Sequence, residues 1–153
     1  VPIHEFSLVN DKGWMQMPLE VMPTYLWADG GRLADAPVDF AKTFGGNMWL
    51  STEMDPSFNI NGLRCAPGFA VPRHHHNLDE LIVVFAGQFH VTWATEDGGE
   101  DSRTVGPGEF WISSAGTPYL MTAGPEGVSY TETWPEPMAN LLTWWHDEGW
   151  VRS

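Results

Sequence analysis

The chain has 153 residues, 42% of them hydrophobic, with 7 basic against 20 acidic side chains and a formal net charge of −13. That length suits one domain with its own core, while the acid excess excludes nucleic acid and anionic membrane surfaces, whose phosphates need clustered Lys and Arg. A single cysteine, Cys65, excludes an intrachain disulfide and a multi-cysteine zinc site.

The lone cysteine fits a reducing compartment, so a cytoplasmic location is expected. No apolar run reaches the ~18–20 residues of a membrane span, and no signal-peptide pattern opens the chain at Val1. Residues 1–46 read as an N-terminal arm, broken by Pro18, Pro23, Gly30, Gly31, Pro37, Gly45 and Gly46, with one strand around 21–27 and a loop over 28–36. From 47 to 134, short runs of Val, Ile, Phe, Trp and Thr alternate with Gly, Pro, Asn and Asp clusters, the pattern of an all-β barrel or sandwich. Strands are predicted over 48–53, 59–65, 70–75, 80–85, 88–95, 109–112, 119–122 and 128–133, with a hairpin tip at Ala86-Gly87. The acidic stretch 96–101 reads as a solvated turn without calcium-loop spacing. After Pro135 and Pro137, residues 135–153 form a tail whose 139–150 segment is expected as a short helix or a packed arm. Nine tryptophans suit either an aromatic pocket wall or a subunit interface.

His74, His75 and His76 hold half of the six histidines, and Glu80 follows four residues after His76. On a strand, residues two apart share a face, so His74 and His76 aim at one point and His75 faces away. A turn over 77–79 returns Glu80 toward them, giving two imidazoles and a carboxylate, a set that suits divalent first-row metals and leaves positions open. The alternative is a histidine-rich exposed turn. With the predicted hairpin, Trp93 falls opposite Glu80, so it faces the site together with Phe89 and Val91, while His90 points away. His4 and His146, in the irregular ends, are not expected as ligands.

These residues carry a resemblance. Gly68, His74, His76, Glu80 and Gly87 stand at the spacing of the first motif of the cupin superfamily, and Gly108, Ser114, Gly116 and Tyr119 resemble its second, with Ser114 at the usual proline and Tyr119 at the usual histidine. The resemblance covers roughly 47–134. It implies a double-stranded β-helix, the cupin jelly-roll barrel, often dimeric, with a divalent metal held by His74, His76 and Glu80. Tyr119 then stands at the fourth corner as a phenolate ligand, as a catalytic group beside the metal, or as the mark of a site that no longer binds metal.

By that resemblance the expected activity is Fe(II)-dependent dioxygenation, cleaving a C–C bond of a small hydroxylated aromatic, ketone or diketone with O₂. Zn, Mn or Ni would instead support a redox-silent isomerase, lyase, cyclase or hydrolase, and a non-catalytic binding protein is the third reading. Trp93 and Trp111, with Trp49, are candidates to stack on a planar substrate, and Arg64 to hold a carboxylate. Arg73 is expected to pair at the surface and Glu132 to be solvated or surface-paired. The acidic balance favours a neutral or weakly acidic substrate, and the Trp-rich ends are the expected homodimer contact.

Overall fold

The alternation through 47–134 produces strands. Among the described residues (3, 5–11, 13–18, 24–52 and 60–153), the computed structural model has ten of them. In chain order they are β1 (Trp14–Gln16), β2 (Tyr25–Trp27), β3 (Met48–Ser51), β4 (Ile60–Cys65), β5 (Ala70–His76), β6 (Glu80–Ala94), β7 (Glu100–Val105), β8 (Phe110–Ser113), β9 (Tyr119–Thr133) and β10 (Thr143–Trp145). One short helix, α1 (Phe40–Phe44), precedes β3, with Asp39 capping its first turn by accepting from the Lys42 amide. Neighbours run β1-β3-β4-β9-β5-β10-β2, and β6 pairs with β7, β8 and β9. Every pairing is antiparallel except β10 with β2.

The two 15-residue strands β6 and β9 form the spine, paired from Leu81 with Thr133 to Trp93 with Tyr119. Midway the register shifts twice, between Val84 and Ala86 and between Gly87 and Phe89. There Gly87 has φ +71° and Gly127 φ +79°, and a Cβ on Gly87 would stand 2.0 Å from the Gly127 carbonyl oxygen. Only glycine fits so close an approach in that conformation. The expected Ala86-Gly87 hairpin is therefore corrected: Glu80–Ala94 is one strand bent at a barrel corner by a bulge. In the same way 119–122 and 128–133 are two halves of β9. The bend brings together the ends of the ladder, so that Tyr119, at the start of β9, hydrogen-bonds Glu80, at the start of β6.

Both chain ends join the barrel. β10 lies between β5 and β2, so the tail contributes a strand and not a helix. Phe44, Trp145 and Trp150 are buried, with ring centroids 5.3–5.8 Å apart. These tryptophans fill core, contrary to the expectation of an interface built from the Trp-rich ends. Large apolar side chains that are exposed include Phe85 on β6 and Phe110 and Ile112 on β8, the last two over 60% exposed. β7 (EDSRTV) escaped the sequence reading because five of its six side chains are polar; it pairs only with β6. Residues 21–23, 53 and 59 of the expected strands lie outside the described residues, as does His4.

If the corner depends on glycine, Gly87→Ala should lose about 3–5 kcal/mol of stability through strain and clash. Gly68→Ala, also at positive φ (+73°) but with open space at its Cβ, should lose only about 1–2 kcal/mol. Denaturant midpoints measure both, and equal losses would show that the close approach is unimportant.

Candidate metal centre

Alternation along β5 turns His74 and His76 inward, buried, and leaves Arg73 and His75 on the outer face. His74 lies opposite Tyr119 on β9 and Trp145 on β10, with ring centroids 4.6 and 4.5 Å away. Its Nδ1 stands 2.7 Å from the Pro72 carbonyl oxygen. A carbonyl only accepts, so Nδ1 carries the proton and Nε2 keeps a bare lone pair. Burial, reinforced by nearby His76, lowers the His74 pKa to about 3, which holds the ring neutral. His76 Nδ1 contacts Thr143 Oγ1 at 2.9 Å, across the β5/β10 ladder.

Glu80 reaches the same place through the turn at 77–79. The Ala115 amide donates to Asp79 and the Gly116 amide to the His76 carbonyl, which ties the second motif's loop to the first. Glu80 is 1% exposed. Its Oε1 accepts from the Tyr119 hydroxyl, and its Oε2 lies 3.1 Å from His76 Nε2. Among the described residues neither of those two facing atoms has a hydrogen-bond partner of good geometry. Burial works to raise the Glu80 pKa, but His76 and the Tyr119 hydroxyl overcome it and hold the carboxylate low, at about 2. Burial and the Glu80 charge push the Tyr119 phenol well above its ordinary value, so it stays a donor.

His74 and His76 line a cavity of about 240 Å³ walled mostly by Met, Leu, Phe and Trp side chains. Two further polar groups enter it that the sequence reading missed. Glu132 was expected at the surface; it lines the cavity instead, and burial together with the neighbouring Glu80 raises its carboxyl well above the usual carboxylate range. The signal was present, because Glu132 is in phase with the buried Val128, Tyr130 and Trp134. Asn61, opposite Glu132 in the β4/β9 ladder, also lines the cavity, in phase with the buried Leu63 and Cys65.

That same β4 phase overturns Arg64 as a substrate residue. It points outward, where its guanidinium donates to the Asn10 carbonyl at 2.7 Å and lies 4.5 Å from the centre of the Trp14 ring. Trp49, paired with Arg64, is not among the lining residues of the histidine cavity. Trp93 faces Tyr119 across the β6/β9 ladder and not Glu80, whose partner is Ser113. Trp93 and Trp111 line a second, larger cavity of about 620 Å³, which Tyr119 also lines and which includes neither His74 nor His76. Arg73 pairs with Glu148 and Glu100 on the outer face. His75 bonds His146 there at 2.8 Å, and His90 is exposed.

Among the described residues no three His, Cys, Asp or Glu side chains stand ready-spaced around one point; Glu80 is drawn to Tyr119 and His76. The chemistry of the donors nevertheless fits a divalent cation. His74 is fixed as the tautomer that ligating histidines adopt, its other nitrogen donating to a backbone carbonyl. His76 Nε2 and Glu80 Oε2 are buried, face to face and short of partners, an arrangement that a cation would satisfy.

No family model matches the chain and no curated protein matches it. Solved structures do. A Bacillus subtilis oxalate decarboxylase variant matches at TM-score 0.52 and 24% identity over 60% of this chain and 26% of its own. An oxalate decarboxylase from Lactobacillus farciminis, in a formate complex, matches at TM-score 0.53 and 23% identity over 63% and 31%. The chain thus spans less than a third of those proteins. The likeness establishes the fold alone, a β-barrel jelly roll of the cupin type. Among the described residues no helix is long and apolar enough to cross a membrane.

A carboxyl whose folded pKa is raised loses stability as pH climbs above its unfolded value near ~4.3, by at most about 1.4 kcal/mol per unit. In chelator-treated protein, Glu132→Gln should therefore match the wild type near pH 4 and become progressively more stable than it toward pH 7. Thermal unfolding across that range measures the difference, and a pH-independent one would show that Glu132 does not fold as the protonated acid.

Proposed function

We propose that the chain is a metal-dependent cupin enzyme, an Fe(II) dioxygenase that cleaves a C–C bond in a small hydroxylated aromatic, ketone or diketone. One observation carries the reading: neutral His74, its tautomer fixed by the Pro72 carbonyl, lines an apolar cavity beside His76, whose Nε2 meets the buried Glu80 carboxylate. His74, His76 and Glu80 would hold the metal. A divalent ion there supplies Lewis-acid polarisation of a substrate oxygen and, as iron, electrons for O₂. Tyr119 orients Glu80 through its hydroxyl and is a proton donor in direct contact with that carboxylate. The Met, Leu and aromatic walls exclude water and cover a flat, uncharged substrate. Those lining residues include no Lys or Arg but do include Glu132, which favours a neutral ligand over a small dianion.

A redox-silent lyase, isomerase, cyclase or hydrolase using Zn, Mn or Ni is the second reading. The raised carboxyl of Glu132 favours it, because a protonated acid beside the ligand site suits proton transfer. The structural likeness to decarboxylases points the same way. We also place the homodimer contact on the strip of Phe85, Phe110 and Ile112.

Protein purified without chelator should carry close to one equivalent of divalent metal by elemental analysis; under a tenth of an equivalent would leave only a binding protein. With iron loaded, O₂ uptake on catechols, hydroxyacetophenones or diketones is expected, and turnover without O₂ would eliminate the dioxygenase. Tyr119→Phe should keep its metal and lose about 10²-fold or more in rate, whereas loss of metal would make the phenol a ligand. For the dimer, Phe110→Glu with Ile112→Lys should sediment as a monomer where the wild type does not.

A further inference from the structure

Asn61 is 3% exposed, lines the histidine cavity, and its Nδ2 has no hydrogen-bond partner among the described residues. A buried amide donor left unmatched is costly, so a polar side chain at this place is suited to a partner that enters the cavity. Directly across the β4/β9 ladder, Glu132 brings carboxyl oxygens into the same cavity, and side chains on opposed residues stand about 4.5–5.5 Å apart at Cβ. A donor and an acceptor side by side, with Leu50, Leu63 and Met121 among the other lining residues, match a group that both accepts and donates. A hydroxyl accepts through its oxygen and donates through its hydrogen, and so satisfies both at once.

We infer that Asn61 and Glu132 form a hydroxyl-recognition subsite, the amide donating to the hydroxyl oxygen and the carboxyl accepting its proton in a hydrogen bond. The substrate class is then a small hydroxylated molecule that turns its hydroxyl toward β4 and β9 and a second oxygen, a carbonyl, toward His74 and His76. This rests on the histidine cavity being the ligand site and deepens that reading. Trp93 and Trp111, in the other cavity, have no part in it.

The probes are 4-hydroxyacetophenone and acetophenone, which differ only in the hydroxyl, titrated calorimetrically into anaerobic protein both as purified and after chelation. Wild type should bind the hydroxylated probe about tenfold tighter or better, the value of one well-made hydrogen bond. Asn61→Leu should erase that preference with an unchanged or raised melting temperature. Asn61→Asp keeps the shape, replaces the donor with an acceptor, and should erase it too, which covers the case in which leucine fails to fold. Wild-type preference surviving in either folded variant overturns the subsite, as does wild type binding the two probes equally or binding neither at millimolar concentration. A preference that depends on Asn61 in chelated protein, found together with a failure to bind metal, would sustain the subsite and sink the metal reading. Metal bound without any effect of Asn61 would do the reverse.

Discussion

The close approach of Gly87 and Gly127 is the constraint on which the rest of the molecule depends. A straight ribbon of two 15-residue strands would hold its ends about 45 Å apart at ~3.3 Å per residue. Bent at the two glycines, it folds over itself, and the first residue of β6 meets the first residue of β9 as Glu80 and Tyr119. Every group of the candidate centre then follows by register. His74 comes in beside Tyr119 because β5 pairs with the first half of β9, and Asn61 comes in beside Glu132 because β4 pairs with the second half. A side-chain cluster drawn from four strands is thereby set by backbone geometry at a point that touches none of them.

Inside the fold, the electrostatic problem is to keep two carboxyls and two imidazoles within an apolar wall. The groups divide the work. Glu80 stays charged because His76 and Tyr119 face it, while Glu132, hydrogen-bonded to Glu80, is driven toward its neutral form by burial and by the Glu80 charge. His74 is neutral by burial. One charge with its partners is affordable in such a place, and two unpaired ones are not. The cavity is consequently polar only at chosen points, with the remainder free to take an apolar ring.

Much of this was legible in the chain. The spacing of Gly68, His74, His76, Glu80 and Gly87 indicated the barrel, and period-two alternation placed His74 and His76 on one face and Arg73 on the other. What failed was any inference that passed through the corner. Treating Gly87 as a hairpin tip put Trp93 opposite Glu80, since sequence cannot distinguish a glycine that ends a strand from one that bends it without knowing what lies at 127. Arg64 and Glu132 were misjudged for a simpler reason. Charge was weighed above phase, although Leu63 and Cys65 on β4, and Tyr130 and Trp134 on β9, fix which neighbours point inward. The polar β7 and the three-residue β1 and β10 carry almost no pattern of their own and owe their form to the strands they join.

The rim of the histidine cavity is made by Met17 and Thr24 from before the barrel and by Met138 and Leu141 from after it, with Asn77 bonding the Asn140 carbonyl and the Leu142 amide to hold the latter in place. The deep wall, with His74, Asn61 and Glu132, belongs to strands whose register the corner dictates. The candidate ligand groups and the rim above them are thus written in different stretches of the polypeptide. Residues at the rim can be exchanged without disturbing the ladder beneath them, so relatives of this barrel can diverge in what they admit while keeping the deep wall constant.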